Sequence, residues 1–173
     1  MDNLIIYSTT DGQTKKICES IGSTLSDQNN VEIININQAI DTDLDKYDKI
    51  IIGASIRYGK HSNKLISFVK KNKTILHLKK SAFFSVNVVA RKEEKSSPST
   101  NPYVIKFLKK TNWLPNKVAV FAGKVDYPSY NFINKNVIRL IMFITKGPTN
   151  TNNSYEFTNW QNVKKFAFEL KYL

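Results

Sequence analysis

Cysteine occurs once, at Cys18, and histidine twice. A lone thiol excludes an internal disulfide, a CxxC redox pair and a cysteine-based zinc cluster. Cys18 stands beside Ile17 and Ile21 at helical spacing, so its expected role is packing. No stretch reaches the roughly 20 apolar residues that span a bilayer. The opening MDNLIIYSTTDG has an acid after Met1 and an apolar run, Leu4–Tyr7, too short for a signal peptide, and a cytosolic chain is expected. Neither GxGxxG nor GxxxxGKS/T occurs, which disfavours dinucleotide and nucleoside triphosphate binding. There is no metal-ligand cluster, no Ser-His-Asp set and no obvious pair of catalytic carboxylates. Acidic residues are scarce: 14 Asp and Glu face 26 Lys and Arg, for a formal net charge of +12. The lysines are spread along the chain, without a helix-turn-helix, RNP or zinc-finger signature, so no specific nucleic-acid partner is expected. Attraction to anionic lipid or to an acidic ligand accounts for the charge equally well.

What is present is globular composition, 41% hydrophobic and 12% aromatic, over 173 residues. Short apolar runs alternate with helical patterns. LIIYS (4–8), VEIININ (31–37), KIIIGAS (49–55), SAFFSVN (81–87) and KVAVFAG (117–123) read as strands. Helices are predicted over 13–26, over 62–72 with Ser62 or Asn63 as cap, over 102–111 behind Asn101, and over 159–172. This alternation predicts an α/β, flavodoxin-like, doubly wound sheet of five parallel strands in the order 2-1-3-4-5. A single domain over 1–173 is expected, with an insertion of about 124–158 before the last helix. In such a sheet ligands bind at the carboxyl ends of the strands, near the switch point.

The loops expected there carry the chemistry. Ser8-Thr9-Thr10-Asp11-Gly12-Gln13-Thr14 brings hydroxyls, a glycine and free N–H groups to a helix N-terminus, where a phosphate fits without a basic side chain. In Gly53-Ala54-Ser55-Ile56-Arg57-Tyr58-Gly59, Tyr58 can stack on a planar ring and Arg57 can meet an acidic group. His61 is expected exposed, or as a helix cap. After Ser85-Val86, Asn87 and its backbone can hydrogen-bond a heterocycle edge, Arg91 can meet a carboxylate, and 92–102 reads as a mobile, solvated loop. The last loop starts at Gly123 and runs through Tyr127.

The most apolar stretch, FINKNVIRLIMFITKG (132–147), predicts a helix with Ile133, Val137, Leu140, Ile141 and Ile144 on one face. Its apolar sector, widened by Met142 and Phe143, either packs over the sheet edge, lines a ligand site, or rests on a membrane interface.

STTDGQT, GASIRYG, SVNVVARK and RLIM resemble the corresponding stretches of the bacterial menaquinone-dependent protoporphyrinogen IX dehydrogenases, flavodoxin-like FMN enzymes of haem synthesis. The resemblance runs from the first strand to the final helix; GKHSNK and KVDYPSY depart from the family's pattern. It implies FMN, with Ser8–Thr14 on the phosphate and the loops 54–59, 85–91 and 122–127 around the isoalloxazine. It also implies a porphyrinogen substrate and menaquinone or another quinone as acceptor. For the two propionates of such a substrate the candidates are a basic rim of Arg57, Arg91 and nearby lysines, and for its apolar macrocycle Ile141 and Met142. A cytoplasmic protein peripherally bound to the inner face of the cell membrane is expected. A flavodoxin-type electron carrier and an NAD(P)H:quinone reductase are the alternatives. Carriers are usually acidic, and no nicotinamide signature is present.

Overall fold

Near-continuous apolar runs build the central sheet. A computed structural model describes residues 1–27 and 29–173. Strands β1 (Asp2–Ser8), β2 (Asn30–Asn35), β3 (Lys49–Ser55), β4 (Lys80–Val86) and β5 (Lys117–Phe121) are all parallel and lie in the order β2-β1-β3-β4-β5. The predicted order is the observed one. Side chains alternate between faces, as the two-residue period of a strand requires. Leu4, Ile6, Ile50, Ile52 and Phe83 pack on one side, and Ile5, Ile51, Ala82 and Phe84 on the other.

Helices α1 (Gln13–Leu25) and α7 (Trp160–Lys171) cover the second face with Ile17, Cys18, Ile21, Val163 and Phe166. The first face is covered by α2 (Ile36–Ala39), α3 (Asn63–Lys71), α4 (Lys73–Leu78) and α5 (Pro102–Thr111), with Ile36, Leu65, Val69, Leu76, Val104 and Phe107. Cys18 is fully buried, and burial pushes its thiol well above the ordinary range, in keeping with a packing role. Three helices start as read. Ser62 Oγ accepts from Leu65 N, Asn101 Oδ1 from Tyr103 N and Val104 N, and Asn159 Oδ1 from Asn162 N.

Some elements differ from expectation. The second strand stops at Asn35, which turns the chain into α2 through a capping box: its Oδ1 accepts from Asn37 N, and Gln38 Oε1 accepts from Asn35 N. The segment 92–102, expected to be a mobile loop, holds a 3-10 turn at Glu93–Lys95 and is tied down by the fully buried Asn101. Asn101 Nδ2 donates to Lys95 O at 2.8 Å and to Asn87 Oδ1 at 3.2 Å. Between β5 and α7 the chain adds β6 (Lys124–Asp126), α6 (Phe132–Ile144) and β7 (Ser154–Glu156), with β6 and β7 antiparallel. Val125, Tyr127, Tyr130 and Met142 form a small core of their own there.

Among the glycines, Gly53 is the most closely packed. A Cβ there would stand 2.2 Å from Cζ of Phe84, its neighbour in register on β4. Gly53→Val is expected to lower stability by about 2–3 kcal/mol, because the buried ring has nowhere to move. Urea unfolding against the wild type measures it.

Candidate functional site

The carboxyl ends of β1, β3, β4 and β5 open into one cleft enclosing about 880 Å3 of non-atom space, its open mouth included. Thr9, Thr10, Asp11, Gln13 and Thr14 form its first wall. Gly12 is the N-cap of α1 and has φ 83°, the left-handed region open to glycine. No side chain caps this helix; Thr9 Oγ1 instead accepts from Gly12 N at 3.0 Å. The first-turn N–H groups therefore face the cleft end with the positive end of the helix dipole behind them. Thr14 Oγ1 is fully buried and has no hydrogen-bond partner. An orphaned buried hydroxyl is costly and rare. With the N–H groups it makes a cradle that fits a phosphate ester.

The second wall is the loop after β3, with Ser55, Ile56, Arg57, Tyr58 and Gly59. Arg57 and Lys60 exchange backbone hydrogen bonds of 3.0 and 3.2 Å around a two-residue turn, and both central residues have positive φ, Tyr58 at 48° and Gly59 at 74°. This geometry projects the Tyr58 ring over the mouth, where its hydroxyl bonds Asn134 Oδ1 on α6. Arg57 is not a free cation. Its Nη1 lies 3.3 Å from both carboxylate oxygens of Asp11, its guanidinium covers the Tyr58 and Tyr130 rings, and Tyr130 donates to Asp11 Oδ2 at 2.9 Å. Burial, with the Asp11 charge beside it, pushes the Tyr130 phenol up to about 12.

Val86, Asn87, Val88 and Val89 supply the third wall, and Tyr103, Gly123, Lys124, Val125 and Tyr130 the fourth. Both ends of the Asn87 amide are engaged: Nδ2 donates to Ser85 Oγ, and Oδ1 accepts from Ala90 N and Asn101 Nδ2. Its side chain holds the loop in shape, so backbone rather than amide is left to meet a ligand. Ile138, Ile141 and Met142 of α6 close the cleft with an apolar wall.

Most of the expected residues meet in this cleft. Ser8, Ala54 and Ser85 are buried beneath it rather than on its surface, and Gly12 shapes it through the backbone. Gln13 lines it, while its amide reaches out to Glu156 Oε1 at 3.0 Å and Thr158 Oγ1 at 2.9 Å, tying the phosphate-sized loop to the far end of the inserted segment. Two expectations are corrected. Tyr127 is fully buried outside the cleft, donating to Pro148 O at 2.9 Å; Tyr130, three residues on, takes its place. Arg91 points to the end of α6, donating to Thr145 O at 2.8 Å, Thr145 Oγ1 at 2.9 Å and Val88 O at 3.0 Å. It therefore serves as a clamp on the helix C-terminus, below Lys146, whose φ of 56° ends the helix before Gly147.

His61 is also corrected: it is buried, not exposed. Its Nε2 lies 3.1 Å from Ser85 Oγ, and its ring meets Phe83 and Phe107 edge-on. Burial lowers its pKa from 6.5 to about 4. Above about pH 6.5 the ring is neutral in both states and its contribution is intact. Between 6.5 and 4 the unfolded chain takes up the proton and the folded chain does not, so stability falls with falling pH, by about 3 kcal/mol in all. His61→Gln keeps a partner for Ser85 but does not titrate. Unfolding followed at a series of pH values is expected to show a shallower loss in this variant over that window.

The sheet order and the cleft at its carboxyl edge define a flavodoxin-like protein. Residues 4–152 match the family described as Flavodoxin domain. The chain belongs to that family and is a relative of proteins named protoporphyrinogen IX dehydrogenase (quinone). It is 41% identical to the one from Escherichia coli strain K12 over 174 residues, all of this chain and 96% of the relative. The one from Leishmania major is 42% identical over 166 residues, 95% of this chain and 72% of the relative. Among solved structures, a flavodoxin from the domain Archaea superposes with a TM-score of 0.53 at 16% identity, over 99% of this chain and 96% of that one. Two-electron reduced Megasphaera elsdenii flavodoxin gives 0.51 at 15%, over 68% and 84%. These two likenesses speak for the fold alone.

Proposed function

We propose that this chain is an FMN-dependent protoporphyrinogen IX dehydrogenase that passes electrons to a quinone, menaquinone in the first instance, in haem biosynthesis. One observation carries the reading: a single cleft joins a hydroxyl and N–H cradle at one end to an apolar wall from α6 at the other. The likeness across nearly all of this chain to proteins named protoporphyrinogen IX dehydrogenase (quinone) supports the same chemistry.

In this reading the Thr9–Thr14 loop and the start of α1 hold the FMN phosphate by N–H and hydroxyl groups. The Tyr58 turn and the backbone of 55–59 and 86–89 flank the isoalloxazine, which supplies the two-electron redox chemistry when bound. Asp11, Arg57 and Tyr130 lock three cleft walls to one another, so that the ring is met by a preorganised site. Ile138, Ile141 and Met142 offer a dry surface to an apolar macrocycle or quinone. The whole chain acts as one domain, with 124–158 as its insertion.

Among the described residues, no helix is long and apolar enough to cross a membrane. Yet α6 exposes Phe132, Ile133, Leu140, Phe143 and Ile144, with Lys135, Arg139 and Lys146 on the same helix and its turn. An exposed patch of this kind marks an interaction surface. We assign it to the membrane interface, where a lipid-soluble quinone is found.

The test uses the chain reconstituted with FMN and supplied anaerobically with protoporphyrinogen IX and a menaquinone analogue. Porphyrin fluorescence that grows only when flavin and quinone are both present is the expected result. Bound FMN without porphyrin formation would overturn the dehydrogenase reading in favour of a carrier or an NAD(P)H-linked reductase.

A further inference from the structure

Beside the cleft lies a second hollow enclosing about 430 Å3 of non-atom space, its open mouth included, and Gly59 and Tyr103 belong to the walls of both. Lys60, Lys106 and Lys110 line it, with the buried His61 and Phe107 behind them. Among the described residues, none of these lysines is within ion-pair distance of a carboxylate. The sequence explains why. From Asp48 to Asp126 the only acids between are Glu93 and Glu94, against 17 Lys and Arg, and neither lines the hollow.

Helix physics alone does not call for this arrangement. Lys106 and Lys110 are four residues apart on α5 and share one face, a like-charge pair that weakens a helix. Lys110 suits the negative end of the α5 dipole, but Lys106 lies further in, and Lys60 comes from a different loop. The cations that line the cleft itself are meanwhile engaged, Arg57 on Asp11 at 3.3 Å and Lys124 on Asp126 at 2.9 Å. Positive charge without a carboxylate partner therefore stands beside the cleft in this hollow.

We propose that the hollow is the carboxylate subsite of the substrate. One propionate of the porphyrinogen enters between Lys60 and the Lys106–Lys110 face while the macrocycle lies in the cleft. This rests on the porphyrinogen reading above. Ammonium groups on flexible stems act as point charges rather than fixed forks, so they follow a propionate that swings on its own chain.

The experiment uses the flavin-loaded chain and mesoporphyrin IX, compared with its dimethyl ester in the same detergent buffer, with binding read from porphyrin fluorescence. Wild type is expected to prefer the free acid, and more so at low salt. Lys106→Glu with Lys110→Glu is expected to weaken free-acid binding on the order of tenfold or more, leaving the ester unaffected. The milder pair Lys106→Gln and Lys110→Gln loses less, and retained flavin shows that either variant is folded. Unchanged free-acid binding in both variants, or equal binding of acid and ester by wild type, overturns the subsite while the dehydrogenase reading stands. A wild type that binds neither porphyrin overturns that reading, and the subsite with it.

Discussion

Leu140→Glu with Phe143→Glu is expected to release the protein from anionic vesicles without loss of flavin. Both side chains stand on the outer side of α6, 60% and 73% exposed, whereas Ile138 and Met142 turn inward to the cleft and Ile141 lines its rim. Burying a large apolar side chain contributes about 1.5–3 kcal/mol. Each basic residue near an anionic surface adds about 1 kcal/mol, and α6 and its turn carry Lys135, Arg139 and Lys146. Two glutamates remove the first contribution and oppose the second. Since about 1.4 kcal/mol is a factor of ten, partitioning should fall on the order of a hundredfold or more. Vesicle flotation, with flavin absorbance followed in the same fractions, measures both quantities. A variant that floats as well as wild type would remove the membrane from the account of α6.

Thr14→Val is expected to push two measurements in opposite directions. The hydroxyl is buried without a partner, so replacing it by a methyl of similar shape should raise the stability of the flavin-free protein by about 1–2 kcal/mol. If that hydroxyl serves the phosphate, the same change should weaken FMN binding about tenfold, the worth of a charge-assisted hydrogen bond. A merely structural threonine would not give this crossing of signs. Thermal unfolding without flavin and fluorescence titration with FMN supply the two numbers. Tight FMN binding in the valine variant would count against the cradle.

The sheet was legible because its signal is redundant. LIIYS, KIIIGAS and SAFFSVN are apolar through their middles, as strands buried on both faces must be, and three of the helices announce their starts with Ser62, Asn101 and Asn159. The loops at the carboxyl ends followed from the topology, so most cleft residues could be named from sequence. What failed was orientation within loops. Tyr127 and Tyr130 are equivalent by composition; a 3-10 turn at Tyr127–Ser129 decides which one faces the cleft. His61 goes inward because two positive-φ residues precede it, and no periodicity extends across such a turn. Arg91 was read as a ligand for carboxylates, but its partner is a backbone carbonyl 54 residues away, which leaves no trace in composition. Strands β6 and β7 are three residues each, too short to show a pattern. In α6 the hydrophobic face was visible, but not the fact that so much of it faces away from the protein.

The two ends of the inserted segment meet. Phe157 N donates to Gly123 O at 3.0 Å, and Thr158 Oγ1 donates to Ala122 O at 2.8 Å, so β5 and the approach to α7 are already side by side where the detour begins. Seen from the sheet, everything from Lys124 to Glu156 is a loop whose closure is built in, and lengthening such a loop costs little entropy. With its own small core, the segment has the character of a cassette. Gains or losses in it can redirect what the cleft accepts while the flavodoxin scaffold beneath remains as it is.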